Sequence, residues 1–145
     1  MKEEWIGRMG QELALNHLEN IEVKIKGKKM KLQRPETLNS FTTKVPTGFG
    51  NLYITVTELD SKPFEVFCTI GKSGASIMAK AEVTGRLVSL ALRHEVPLED
   101  IIDQLINISG GEPLAWKKTV IKSIPDAVGK VLKEKYLNKE EPNAL

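Results

Sequence analysis

The chain has 145 residues, 41% of them hydrophobic, which is enough for one core and too few for two full-sized domains. Twenty-one Lys and Arg stand against nineteen Asp and Glu, and the resulting net charge of +2 lacks the single-sign excess of a dedicated duplex-binding protein. One cysteine, Cys68, excludes an internal disulfide, and with only His17 and His94 beside it no zinc-ligand cluster can be assembled.

The opening stretch MKEEWIGRMGQEL is acidic and has no apolar signal region, and no window reaches the apolar length of a membrane span. A soluble cytoplasmic protein with no membrane partner is expected. Residues 3–19 fit an amphipathic helix, with Trp5, Met9 and Leu13 on one stripe beside Ile6, Leu15 and Leu18. In IEVKIKGKKMKL, Ile21, Val23 and Ile25 alternate with charge, Gly27 turns the chain, and Met30 and Leu32 resume the pattern, which predicts a basic hairpin.

Residues 33–50 are rich in turn formers and read as an ordered loop with a short extended piece around Thr42 to Val45. NLYITVTE then alternates Leu52, Ile54 and Val56 against Tyr53, Thr55 and Thr57, a strand, and FEVFCTI returns with Phe64, Val66, Cys68 and Ile70 inward, so the two form a hairpin. A long helix is expected over residues 75–93, a second after Pro97 over LEDIIDQLINI, an irregular crossing through EPLAWKKTVIK, and a last helix over IPDAVGKVLKEKYL. This order predicts an α+β domain, an antiparallel sheet of two hairpins packed against three to four helices. The expected organisation is an N-terminal helix and basic hairpin over residues 1–33, a core over 34–137 and a polar tail over 138–145, in one globular unit.

Four places could carry chemistry. Gly71, Lys72, Ser73 and Gly74 join a strand to a helix, where free backbone N–H groups, the helix dipole, Lys72 and the hydroxyl of Ser73 or Ser76 could hold a phosphate. The competing reading is a turn whose glycines take positive φ and whose Ser73 or Ser76 caps the helix. Arg34, Thr42, Thr43, Lys44, Thr47 and the turn around Phe49 make a second polar group, with Phe49 either a stacking surface for a base or a packed ring in an ordered loop. Trp116 next to Lys117 and Lys118 could contact a nucleotide or serve as a buried anchor. Arg86 and Arg93 could read phosphate or lie on a solvated helix face. Cys68 lies in an apolar alternation and reads as core, and His94 reads as a helix cap. No nucleophile and base pair can be assembled, so neither enzyme activity nor a cofactor or metal is expected.

The blocks RPETL, TTKVPTGFGNLYITV, KPFEVFCTIGKSGAS, GRLVSLALR and VPLEDIIDQL, spanning about residues 34 to 137, resemble the TSCPD domain. That domain is best known as a C-terminal module of vitamin B12-dependent (class II) ribonucleotide reductases. The chain departs from the family at its cysteines. Lys122-Ser123-Ile124-Pro125-Asp126 stands where the family name spells Thr-Ser-Cys-Pro-Asp, Phe49 replaces the cysteine of a Thr-Gly-Cys-Gly turn, and Ser109-Gly110-Gly111 follows the second helix where relatives often carry another. Thiol or metal chemistry of those cysteines is therefore not expected, and the reductase's catalytic parts cannot fit in this length.

The resemblance implies a freestanding module. The expectation is a non-catalytic binding protein for a phosphorylated nucleotide-type ligand, acting by sequestration or sensing, one version being a phage or mobile-element sponge for an immune nucleotide signal. The alternative is an accessory module that docks on a reductase chain. Single-strand nucleic-acid binding is disfavoured by an aromatic content of 6%. Small residues on several faces of the long helix and open hairpin edges predict a homo-oligomer.

Overall fold

In the computed structural model the chain divides into two units, Met1–Met30 and Lys31–Leu145. The structure describes residues 10–16 and 30–138, and residues 10–16 form helix α1, within the helix expected over 3–19. The remainder of that helix, most of the basic hairpin and nearly all of the polar tail lie outside the described residues. Where the hairpin's return strand was expected, residues 30–38 form no strand. Leu32 is held by a helix end instead: its N–H donates to the carbonyl of Arg93 at 2.8 Å, and Arg93 Nη2 and Nε donate to the Leu32 carbonyl at 2.8 and 3.2 Å.

The second unit is built on an antiparallel meander of β1 (Asn39–Thr47), β2 (Gly50–Leu59) and β3 (Lys62–Ile70) in that spatial order. β2 and β3 follow the alternation of their sequence, and Leu52, Ile54, Val56, Val66 and Ile70 are all buried in the core. Asp60 and Ser61 both have positive φ, 51° and 62°, which is the two-residue turn whose twist suits a hairpin. β1 corrects the expected loop. It pairs with β2 from Asn39 opposite Glu58 to Thr47 opposite Gly50, and Phe41, Thr43, Val45 and Thr47 turn inward. Threonines at half of those inward positions hid the apolar period, and Pro46 is tolerated because β1 is an edge strand.

Helix α2 (Ala75–Arg93) has the expected bounds and covers the opposite edge of the sheet. Ser89 Oγ accepts from the Val66 N–H at 2.8 Å and donates to the Val66 carbonyl at 3.0 Å, so one side chain occupies the N–H and carbonyl of Val66 on β3. Gly85 makes this approach possible, since a Cβ there would stand 2.9 Å from the Val66 oxygen. An edge that the sequence left open to another chain is thereby closed from within.

Helices α3 (Leu98–Leu105) and α4 (Ile124–Leu132) complete the core through Ile101, Ile102, Ile124, Ala127, Val128, Val131 and Leu132. α3 stops short of the expected Ile108, and Asn107 has a left-handed φ of 63°. The expected irregular crossing is a small hairpin, β4 (Leu114–Trp116) with β5 (Thr119–Ile121), turning at Lys117 and Lys118. Strands of three residues are too short to show a period. One π-helical turn, Lys133–Leu137, follows α4. The architecture is α+β, as the order of elements implied.

Candidate ligand-binding groove

The KSIPD segment organises the C-terminal half. Ser123 is the N-cap of α4 and its Oγ accepts from Asp126 N–H at 3.1 Å, with Pro125 in the first helical positions. Asp126 is fully buried, and its carboxylate has three donors. Oδ1 accepts from Asn107 N–H at 2.6 Å, while Oδ2 accepts from Lys122 N–H at 2.8 Å and Lys130 Nζ at 2.9 Å. One carboxylate thus ties the end of α3, the end of β5 and the middle of α4 together, and Lys130 also donates to the carbonyl of Val120. Ile124 is 2% exposed and belongs to the core.

This tie positions a groove of about 1060 Å³ between the β4–β5 hairpin and the α4–π-turn segment. Lys117 and Lys118 enter from the hairpin turn, Lys122 from the end of β5, and Lys130 and Lys133 from the helical side, with Trp116, Asn107 and Glu134 also in the wall. Lys130 is committed to Asp126, and Lys117 to Glu134, while the Lys117 ammonium also lies 4.9 Å over the Trp116 ring. Lys118 and Lys133 form no ion pair among the described residues, and Lys122 Nζ makes only a 3.4 Å contact with Asn107 Oδ1. Cations outnumber the one carboxylate in the wall, so the groove favours an anion, and Trp116 offers a half-buried aromatic surface beside it.

Of the residues singled out from sequence, only Trp116, Lys117 and Lys118 line this groove. Gly71, Lys72, Ser73 and Gly74 lie at the β3–α2 junction, and the competing turn reading needs correction there. Gly74 is the N-cap with φ −64° and ψ 161°, Gly71 does not have a positive φ either, and neither Ser73 nor Ser76 caps the helix. A Cβ at Gly71 or Gly74 would meet nothing within 4 Å, so the conformation requires neither glycine. Ser73 Oγ is shielded from solvent and has no hydrogen-bond partner, and Ser76 is exposed.

Arg34 is engaged elsewhere: its Nε donates to both oxygens of the buried Glu65 carboxylate at 3.0 Å, which also accepts from Thr57 Oγ1 at 3.2 Å. Lys44 is exposed on β1. Phe49, 37% exposed, lies against Gly111, where a Cβ would stand 2.9 Å from its ring, and Thr47 Oγ1 bonds the local backbone at Phe49 N and Gly50 O. Phe49 and the Ser109-Gly110-Gly111 stretch therefore pack on each other. Gly110 in turn donates to the Lys122 carbonyl at 2.9 Å.

Lys122, Lys130 and Lys133 escaped sequence reading. The three-residue spacing of Lys130 and Lys133 on one helix face was visible, but the hairpin that faces them was not. Arg93 stacks 5.4 Å over Phe64 and Arg86 pairs with Glu82, while His94 is the C-cap of α2. Burial pushes the Cys68 thiol up to about 12, so it stays protonated near neutral pH. Among the described residues no three His, Cys, Asp or Glu side chains converge as metal ligands, and no helix is long and apolar enough to cross a membrane.

A family model for the TSCPD domain matches residues 17–136. Comparison with curated proteins and with solved structures found no match.

Proposed function

Because this chain belongs to the TSCPD domain family, we propose that it serves as a non-catalytic member that binds a phosphorylated nucleotide-type ligand in the lysine-lined groove. One observation carries the reading: Lys117, Lys118, Lys122, Lys130 and Lys133 converge from two segments on a groove that also presents Trp116. A cavity of this size accommodates a nucleotide, and flexible ammonium groups suit phosphate oxygens in several orientations. Asn107, Thr119 and Asn138 add neutral polar groups for a base or sugar. Retention of the ligand without reaction fits sequestration or sensing of a nucleotide signal.

The test is mass spectrometry of small molecules released from the purified protein, followed by calorimetry against a panel of linear and cyclic nucleotides. Lys118→Glu and Lys133→Glu should each weaken binding about tenfold to hundredfold, the value of one charge-assisted contact. Binding untouched by both reversals, or no binding at all together with capture of a reductase chain, would replace this reading with that of an accessory module.

A further inference from the structure

Helix α2 is apolar on two opposite faces. Ala81, Gly85, Val88 and Leu92 face the core. On the far side Val83 is 50%, Leu87 61% and Leu90 44% exposed, with Met78 at 54% nearby. A helix of a small domain needs one apolar face, and a second one turned to solvent marks a contact surface. Phe67 of β3, itself exposed, adjoins this surface across a groove of about 570 Å³ that Leu87 and Leu90 also line.

The order of residues along the exposed face names the partner. Positions 78, 82, 86 and 90 form one ridge at i, i+4 spacing and read Met, Glu, Arg, Leu; positions 79, 83, 87 and 91 form the next and read Ala, Val, Leu, Ala. Reversed, each row keeps its character: apolar ends around a central pair of opposite charges, and small ends around a central pair of large apolar residues. Glu82 and Arg86 are highly exposed, with side chains 65% and 78% accessible, and their mutual contact of 3.1 Å is a surface pair of little strength.

We infer that a second copy of this chain docks on this face, α2 against α2 in antiparallel order about a two-fold axis midway between Glu82 and Arg86. Each Glu82 then meets Arg86 of the other copy, Met78 meets Leu90, and Val83 and Leu87 of both copies fill the centre. This is an isologous contact, in which one surface complements itself. It leaves the lysine-lined groove out of the interface, so it stands or falls independently of the proposed ligand.

Sedimentation of the full chain up to about 200 µM should show a species of twice the 16.1 kDa chain mass. Leu87→Asp should raise the dissociation constant at least about tenfold without lowering the melting temperature of the fold. Glu82→Arg and Arg86→Glu, each alone, place like charges opposite each other and should both be monomeric. Mixed in equal amounts they restore both opposite-charge pairs and should form a dimer. A wild-type chain that stays monomeric, or a dimer that survives Leu87→Asp and both reversals, overturns the proposal. A mixture of the two reversals that stays monomeric overturns it as well.

Discussion

Asp126→Asn removes one charge and one acceptor from the junction beneath the groove. The carboxylate accepts three hydrogen bonds, from Asn107 N–H, Lys122 N–H and Lys130 Nζ, and is completely buried. An amide retains one oxygen. With that oxygen toward Asn107, the NH₂ group faces two donors; with it toward Lys122 and Lys130, the NH₂ group faces the Asn107 N–H. Either way one donor loses its partner, at about 1–3 kcal/mol, and the Lys130 ammonium loses its counter-charge. Lys130 has a side chain 13% exposed, so water recovers only part of that loss. We expect a total of about 2–4 kcal/mol, a large share of the ~5–15 kcal/mol typical of a domain. Ser123→Ala in the same motif removes a single neutral cap bond and should cost about 1 kcal/mol. Urea unfolding with an unchanged slope measures both. An Asp126→Asn cost below about 0.5 kcal/mol, or one smaller than that of Ser123→Ala, would refute the assignment of Asp126 as the tie between these three segments.

Gly85→Ala gains about 1 kcal/mol of helix propensity but drives a methyl to 2.9 Å from the Val66 oxygen and disturbs the Ser89 contacts, so a net loss of about 1–2 kcal/mol is expected in thermal unfolding. Cys68 should resist iodoacetamide at pH 8 in the native protein and react readily in urea; since burial raises its folded pKa to about 12 from 9.0, stability should fall as pH climbs between those values. Glu134→Gln should tighten nucleotide binding in calorimetry, because the carboxylate competes with phosphate for Lys117. Lys72→Ala should leave both the fold and nucleotide affinity unchanged, and a tenfold loss of affinity would move the site to the β3–α2 junction.

Much of the fold was legible because it is written in local terms. The alternation of Leu52, Ile54 and Val56 and the predominance of helix formers from Ala75 to Arg93, despite Gly85 in their midst, specify their elements locally. Family membership was likewise carried by blocks in order along the chain. β1 was not legible, since Thr43, Thr47 and Pro46 weaken the period and only pairing along the whole of β2 makes the segment a strand. The β4–β5 hairpin is too short to announce itself, and without it Lys130 and Lys133 face nothing. The groove therefore belongs to the tertiary structure: its lysines are spread from Lys117 to Lys133, and the buried Asp126 carboxylate, which holds three segments at once, gathers them onto one surface. The edge of β3 is the same case, because only the folded chain shows that Gly85 and Ser89 bring a helix against it.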